Sequence, residues 1–242
     1  MTDEAWRVHE VSASLAIHVT RSMPALPDEV EAAVSALWDA AQARTGGRLF
    51  NGRVFSADAI APGRVTGHWT EFRRVVAQME RPDLFAALGV RPLAVNGVMV
   101  GADFVLLGRR PEGAVYQPGE WQVPPAGSID PGCAEGDAID PVRQLHAELH
   151  EELGMPPGSV RAPRVLAIVE HPGSHVCDLG IAVETDWPEA AIRAAHAARG
   201  NGEYGTLAFV PHAGLPTFLA RNEGRVTRQA PAFLTRAGLL AG

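Results

Sequence analysis

The sequence predicts an α/β protein of the α+β type, in which a mixed sheet is sandwiched by helices and preceded by an α/β extension. Three observations lead to this fold class. Runs with the two-residue period of strands alternate along the chain with runs that have the 3.6-residue period of amphipathic helices. A chain of 242 residues is long enough for one large domain, or for a compact domain with an extension. Its hydrophobic content of 46% is enough for a full core.

The first 91 residues are predicted to form the amino-terminal α/β extension. Leu15, Ile17 and Val19 alternate with polar residues, which indicates a strand. A helix is expected next, because Pro27 and acidic residues open a segment whose apolar residues share one face. Two strands around a loop and a helix interrupted at Pro82 complete the extension. The first helix is expected at residues 26–45, the two strands at residues 48–57 and 64–72, and the interrupted helix at residues 73–89.

Residues 92–242 are predicted to form the main domain. A hairpin opens it, and a Gly- and Pro-rich segment at residues 111–140 follows, which indicates either function or disorder. Asp140 and Pro141 are typical of a helix start, and Gly154 is typical of a helix end. Strands are expected at residues 92–100, 103–110, 164–170, 177–185 and 204–210, and helices at residues 140–154, 188–199 and 230–240.

Charge and composition exclude several kinds of partner. The formal net charge is −7 and no basic stripe is present, so the chain is not expected to bind nucleic acid. The longest apolar run is interrupted by Asn96, Gly97 and Asp103, and the first ten residues lack a signal pattern, which predicts a cytoplasmic protein without a membrane partner. Cys133 and Cys177 are far apart, which favours reduced thiols without structural zinc.

Three glutamates crowd the end of the helix predicted at residues 140–154. Glu148, Glu151 and Glu152 repel one another by about 0.2–0.5 kcal/mol per pair, and each opposes the helix dipole by about 0.3–1 kcal/mol. They lie beside an apolar stripe that holds the helix against a core: Val142, Leu145, Leu149 and Leu153. Carboxylates that converge at such a cost favour a divalent cation, Mg²⁺ or Mn²⁺. The alternative is an ordinary solvated acidic face, which is the commoner origin of such a pattern.

The surrounding motifs resemble the Nudix hydrolase family. "LLGRR", then "GEWQVPPAGSID", then a capped helix ending in "AELHEELGM" follow that family's order over residues 92–242. The second half of the family's box is matched by Glu148, Leu149, Glu151, Glu152, Gly154 and Met155, and its opening glycine by Gly127. The resemblance implies hydrolysis of a diphosphate by water. It also implies that Glu148, Glu151 and Glu152 are catalytic and, with Gly127, hold Mg²⁺ or Mn²⁺.

The chain departs from the family's box in two places. The loop between Gly127 and Glu148 is longer than in the family, so the box's first glutamate has no counterpart by counting, and Glu135, Asp137 or Asp140 are the nearest substitutes. Ala147 occupies the position of the family's arginine, which would pair with Glu151 at i, i+4. Arg143 is not expected to replace it, because helical side chains lean toward the amino terminus.

The amino-acid sequences of several segments are similar to one branch of the family, the UDP-sugar diphosphatases that carry an amino-terminal extension. These segments are "RLFNGRVF", "FRRVVAQ", "LGVRPLAV" and "PPAGSID". The resemblance implies hydrolysis of UDP-glucose or UDP-galactose to UMP and sugar 1-phosphate. The alternatives are a Nudix pyrophosphatase for ADP-ribose, a dinucleotide or coenzyme A, and a Nudix-fold protein that binds a nucleotide with little or no turnover. The sequence does not give the oligomeric state, and a homodimer is one candidate because homodimers are common among soluble enzymes.

Five further residues are candidates for roles in the site. Arg109 and Arg110 end a strand next to the long loop, where they could reach a diphosphate, although a solvated strand end is an equally good interpretation. Tyr116 could stack on a base, as could Trp121, whose commoner role is core packing. Glu170, at a strand end, is a candidate for a further ligand or base, and an ordinary strand-end carboxylate is the commoner case.

Overall fold

A computed structural model describes residues 6–114 and 116–241, and within them the chain forms two sheets and seven α-helices. The strands are β1 (Arg7–Glu10), β2 (Ala16–Val19), β3 (Arg53–Ala61), β4 (Arg64–Glu71), β5 (Leu93–Val100), β6 (Phe104–Arg109), β7 (Trp121–Gln122), β8 (Ala126–Ser128), β9 (Ala134–Glu135), β10 (Ala138–Ile139), β11 (Arg161–Glu170), β12 (Cys177–Glu184) and β13 (Thr206–Pro211). The helices are α1 (Asp28–Thr45), α2 (Phe72–Glu80), α3 (Phe85–Leu88), α4 (Pro141–Leu153), α5 (Glu189–Arg199), α6 (Leu215–Arg221) and α7 (Gln229–Arg236).

The central sheet has the strand order β1-β11-β12-β5-β6-β13, with β7 paired to β6 and β8 paired to β5. The β12–β5 pair is parallel and the other pairs are antiparallel, so the sheet is mixed. One face packs against α4 and α5 through residues such as Leu149 and Ile192. The other face packs against α6 and α7 through residues such as Leu215 and Phe233. The predicted α+β class, with a mixed sheet sandwiched by helices, is therefore confirmed.

The second sheet joins the amino-terminal strands to the loop that precedes α4. Its order is β3-β4-β2-β10-β9, and Ile139 of β10 lies opposite Ile17 of β2. In the other direction, β1 leaves the amino-terminal part and pairs with β11 of the central sheet. In both sheets, a strand before residue 91 thus pairs with a strand after it. The division into residues 1–91 and 92–242 stays a prediction.

Most predicted elements are present, and the differences have local causes. The expected loop at residues 60–63 is a tight hairpin turn, with β3 continuing to Ala61. The segment 111–140 contains four short strands, β7 to β10, each with too few residues to show a period. β7, β8 and β10 pair with strands outside the segment, and β9 pairs with β10. Strand β1 was not predicted because its four residues are mostly exposed and do not alternate.

Helix α4 has the predicted start and end. The Asp140 carboxylate accepts hydrogen bonds from the backbone N–H groups of Val142 and Arg143 at 2.9 and 3.1 Å, and Pro141 occupies the first turn. Gly154 ends the helix in the left-handed region, at φ 66°. Within residues 6–114 and 116–241, no helix has the length and apolar character needed to cross a membrane. The first five residues, part of the segment inspected for a signal pattern, lie outside the described range.

Candidate active site

Glu152, in the last turn of α4, is buried against β8. Only 3% of the residue is exposed, and its Oε2 accepts a hydrogen bond from the backbone N–H of Ala126 at 2.9 Å. Burial raises the pKa of Glu152 well above its ordinary value, the Ala126 N–H opposes that rise, and the charges of Glu148 and Glu203 add to it. A solvated acidic face would leave this side chain in water. Its burial favours a functional interpretation of the crowded glutamates.

Glu148 lies one turn earlier and is half-buried beside the same strand. Its Oε1 accepts a hydrogen bond from the side-chain amide of Gln144 at 2.8 Å. Burial raises the pKa of Glu148 to about 7; the Gln144 bond opposes this, and the charge of Glu151 contributes to it. A Cβ added at Gly127 would lie 2.0 Å from that Oε1, so only glycine at position 127 lets the strand approach the carboxylate this closely.

Glu151 differs from its two neighbours because its side chain is exposed. Its backbone carbonyl accepts a hydrogen bond from Asn201 at 3.0 Å, while its carboxylate forms no hydrogen bond or ion pair with any described residue. The structure therefore brings Glu148 and Glu152 together over β8 and leaves Glu151 at the edge of the site. Its role as a metal ligand stays a prediction.

Gln144 is the residue whose side chain contacts Glu148 directly. It is 2% exposed, its amide nitrogen donates to Glu148, and its amide oxygen accepts from the backbone N–H of Asp130 at 3.2 Å. Among the described residues, no Arg or His lies within ion-pair distance of Glu148 or Glu152. Ala147 and Arg143 are both exposed. The group that orients Glu148 is thus a neutral amide at i−4.

Glu203 is a further carboxylate of the site that the sequence did not reveal. It lies in the loop before β13, forms an ion pair with Arg110, and its charge raises the pKa values of Glu148 and Glu152. The next residue, Tyr204, is buried, and its hydroxyl hydrogen-bonds the Gln122 side-chain amide at 2.7 Å. The short polar segment around Glu203 carries no motif. Only the β13–β6 pairing, which is not visible in the sequence, places it beside Arg110.

The two predicted phosphate-binding arginines have different surroundings. Arg109 donates to the Gly119 carbonyl at 2.9 Å and to the Glu112 carboxylate at 2.7 Å, at the edge of the long loop. Arg110 is mostly buried, binds Glu203, and keeps a buried Nε without a hydrogen-bond partner among the described residues. Arg110 is therefore the one that the fold brings next to the carboxylates.

The two aromatic candidates are also placed differently. Trp121 packs edge-to-face on Phe218, with ring centroids 5.2 Å apart, and belongs to the apolar cluster around α7. Tyr116 lies in the long loop with its ring half-buried and its hydroxyl buried. Burial raises the pKa of Tyr116, and the charge of Asp178 adds to that rise. A role in substrate binding stays a prediction for Tyr116.

Glu170 is held by Arg91 and two histidines at the junction of β1 and β11. Arg91 donates to both of its oxygens at 3.2 and 2.8 Å, and His9 and His175 lie at 2.9 and 3.3 Å. Burial alone would raise the pKa of Glu170, but the Arg91 and histidine contacts outweigh it and hold the pKa at about 2. These contacts occupy both carboxylate oxygens.

The three proposed substitutes for the box's first glutamate lie apart from the carboxylates over β8. Asp140 caps α4, Glu135 is exposed in β9, and Asp137 lies in the turn of the β9–β10 hairpin. Asp130, at the start of this segment, contributes instead, since its charge raises the pKa of Glu148.

The donor set fits a hard divalent cation only in part. Glu152 is a buried carboxylate and Glu148 a half-buried one, neither has a cationic neighbour, and Gly127 leaves room for close approach to Glu148. However, no group of three or more His, Cys, Asp or Glu side chains in a metal-binding arrangement occurs in the described parts of the chain. A cation here would take two protein carboxylates and complete its shell with water or substrate oxygens, which is usual for Mg²⁺.

No family model matches the chain, and no curated protein sequence matches it. Among solved structures, it is similar to the Nudix hydrolase RenU from M. smegmatis, at 18% identity and a TM-score of 0.44 over 61% of this chain and 84% of that one. A bifunctional NMN adenylyltransferase/ADP-ribose pyrophosphatase from Francisella tularensis aligns at 16% identity and a TM-score of 0.45, over 66% of this chain and 44% of that one. An ADP-ribose pyrophosphatase from Streptococcus suis aligns at 20% identity and a TM-score of 0.38, over 63% of this chain and 96% of that one. At such low similarity, the chemistry proposed below rests on the chain's own residues.

Proposed function

We propose that the chain is a Nudix-type hydrolase that depends on Mg²⁺ or Mn²⁺ and cleaves a nucleoside diphosphate linked to another group. The proposed substrate is UDP-glucose or UDP-galactose, and the products are UMP and sugar 1-phosphate. The observation that carries the proposal is the burial of Glu148 and Glu152 over β8 without a neighbouring cation.

Energetics support a cation site over a structural role. Burying an unpaired carboxylate costs several kcal/mol, on the order of the stability of a whole domain. The raised pKa values of Glu148 and Glu152 express this cost, since each group ionises reluctantly in the folded protein. Leu or Met at these positions would pack against β8 without the cost. A bound divalent cation would offset it.

The chain's own residues supply the remaining functions. When bound, Mg²⁺ would neutralise charge on the diphosphate oxygens and lower the pKa of a water molecule. Glu148 and Glu152 would hold the ion. Arg110, which forms an ion pair with Glu203, would bind a phosphate. Water adds to one phosphorus, the bridging P–O bond breaks with its electron pair leaving on the departing phosphate oxygen, and the proton lost by the water passes to a carboxylate of the site.

A panel of diphosphates with and without Mg²⁺ tests this proposal. We expect Mg²⁺-dependent release of UMP from UDP-glucose or UDP-galactose. Preference for ADP-ribose, a dinucleotide or coenzyme A would support the proposed reaction class and contradict the proposed substrate. Absence of turnover on the whole panel would contradict the enzyme proposal.

A second candidate function is nucleotide binding without turnover. It is favoured by Ala147 and Gln144. Alanine stands where the family has an arginine, and the side chain that contacts Glu148 is a neutral amide. Calorimetric titration of each panel member separates the two: tight binding with no metal-dependent product would support the binding protein.

A further inference from the structure

A cavity of about 400 Å³ lies at the end of β2, in the second sheet. Three parts of the chain that are far apart in the sequence line it, and none of the lining residues belongs to the carboxylate site over β8. Its volume is in the range of pockets that bind small molecules, roughly 300–1,000 Å³. The residues that line it include Arg21, Ser22, Arg53, Trp69 and Asp137.

The fold itself holds the walls of this cavity in place. The backbone N–H of Val19, the last residue of β2, donates to the Asp137 carbonyl at 2.8 Å, which ties β2 to the turn of the β9–β10 hairpin. The Arg21 guanidinium donates to both carboxylate oxygens of Asp58 at 2.7 and 2.6 Å. Because these contacts form within the protein, a ligand meets walls that are already ordered, and its binding costs less conformational entropy.

Trp69 and Arg53 are neighbours on one face of the second sheet. Trp69 of β4 pairs with Phe55 of β3, and the two rings pack edge-to-face with their centroids 5.8 Å apart. Since side chains alternate along a strand, Arg53, two residues before Phe55, lies on the same face and diagonal to Trp69. Phe55 is fully buried, whereas Trp69 is half-buried and lines the cavity. The cavity therefore has an aromatic wall with a cationic side chain beside it.

The polar side chains of the cavity keep their hydrogen-bonding capacity for a ligand. Arg53, Ser22 and Asp137 are exposed, and their side chains form no hydrogen bond or ion pair with any described residue. Two arginines and one aspartate give the lining an excess of positive charge, although the chain as a whole has a formal net charge of −7. Such a local excess attracts an anion, and a guanidinium group matches the geometry of phosphate oxygens.

These features together favour one class of ligand. A metal ion is disfavoured by the two arginines, inorganic phosphate would leave Trp69 without a contact, and an uncharged ring compound would leave Arg53 without a partner. A nucleoside monophosphate meets all of these requirements. Its base packs on an aromatic ring, its phosphate pairs with a guanidinium group, and its sugar hydroxyls or base N–H groups donate to a carboxylate.

We propose that the cavity at the end of β2 is a binding site for a nucleoside monophosphate, with the base against Trp69, the phosphate on Arg53 and a hydrogen bond to Asp137. This site is additional to the carboxylate site and does not depend on the proposed hydrolysis. Asp137 is the one carboxylate among its lining residues, so binding there is expected to need no divalent metal.

Calorimetric titration of the full chain in EDTA tests this site, with UMP, AMP, uridine and inorganic phosphate as probes. UMP or AMP should bind at least about tenfold more tightly than uridine or phosphate, since only the nucleotide uses both Trp69 and Arg53. Arg53→Gln and Trp69→Leu should each weaken nucleotide binding about tenfold or more. Arg64→Gln is the matched control, because Arg64 is also exposed in the second sheet, has no ion-pair partner among the described residues and does not line the cavity. It should bind the nucleotide within about twofold of the wild type.

Glu152→Gln separates the cavity from the carboxylate site. This variant should bind the nucleotide in EDTA within about twofold of the wild type, and a loss like that of Arg53→Gln would place the nucleotide at the carboxylates and overturn the proposal. The proposal is also overturned if the wild type binds neither nucleotide, if inorganic phosphate binds as tightly as both, or if Arg64→Gln weakens binding as much as Arg53→Gln.

Two features of the design keep the result clear. Trp69 contacts the core, so its replacement can disturb folding, whereas Arg53 is exposed and gives a reading that does not depend on the Trp69 variant. Turnover of a diphosphate enters none of these measurements. The proposed hydrolase function and this binding site therefore succeed or fail separately.

Discussion

Gln144 donates its side-chain amide to Glu148, one turn further along α4, at 2.8 Å. The same amide group accepts the backbone N–H of Asp130, so one buried side chain fixes both the carboxylate and the start of the loop before α4. A neutral donor orients Glu148 without cancelling its charge. The negative charge that Glu148 carries when it is ionised is therefore left for an external cation.

Replacing Glu152 by Gln should stabilise the metal-free protein. Gln keeps an acceptor for the Ala126 N–H and removes a buried charge. At pH 8 without metal, the free energy of unfolding is expected to rise, because burial raises the pKa of Glu152 and makes its ionised form unfavourable in the folded protein. Urea denaturation in EDTA measures this. Glu151→Gln is the matched control, because Glu151 is exposed, and it should change stability by less than about 0.5 kcal/mol. Equal effects of the two substitutions would contradict the assigned burial.

Mg²⁺ affinity should depend on pH through Glu148. The pKa of this group is raised to about 7 in the folded protein, from an ordinary value of 4.5. The folded state thus binds more protons than the unfolded state between these values, and metal-free stability should fall as pH rises from about 4.5 to 7. Mg²⁺ needs the ionised form, so its affinity should increase up to about tenfold per pH unit below pH 7 and level off above it. The Mg²⁺-induced rise in Tm, recorded from pH 5.5 to 8.5, checks this; a flat profile would argue against Glu148 as a ligand.

Ala147→Arg should leave activity unchanged or raise it. Ala147 is exposed on α4, and an arginine there would lie at i, i+4 from Glu151, which has no partner among the described residues. The added pair should stabilise the helix by about 0.3–0.5 kcal/mol. Ala147→Gln is the control of similar length without charge. Steady-state kinetics and thermal melts measure both effects, and a sharp loss of activity in the arginine variant alone would mean that this site is organised differently from the family pattern.

Glu170→Gln should loosen the junction of β1 with β11. The folded-state pKa of Glu170 is held at about 2, below its ordinary 4.5, so its contribution is present above about pH 4.5 and is lost as pH falls toward 2. The difference corresponds to about 3 kcal/mol, and the variant also leaves Arg91 without its partner. Urea denaturation at pH 7 and pH 3 should show a large loss at pH 7 and a smaller one at pH 3. Glu184→Gln, at an exposed ion pair, is the control and should have little effect at either pH.

Helix α4 illustrates what the sequence could predict. Its cap, its first-turn proline and its terminal glycine are local signals, so both ends were predicted correctly. The difference in exposure between Glu151 and Glu152 does not follow from a local sequence signal. Both lie beside the apolar stripe on a helical wheel, and only the folded protein shows Glu152 buried against Ala126 of β8 and Glu151 exposed to water.

The parts that could not be predicted depend on pairing between distant segments. In the sequence, the hairpin β9–β10 resembles a lengthened loop. It is recognised as a hairpin only through the pairing of β10 with β2, more than one hundred residues earlier. Glu203 carries no motif and joins the site only because β13 pairs with β6. Asp178 has the sequence pattern of an ordinary strand residue, and its burial is visible only in the folded sheet.

The most direct test of the central claim is the release of UMP from UDP-glucose by the wild type and by Glu152→Gln, each titrated with Mg²⁺. The wild type should be active only with the metal, and the variant, although folded and more stable, should lose at least about a hundredfold in kcat/KM, or about 2.7 kcal/mol of transition-state stabilisation. Wild-type activity that persists in EDTA, or a variant as active as the wild type, would contradict the assignment of Glu148 and Glu152 as the cation site.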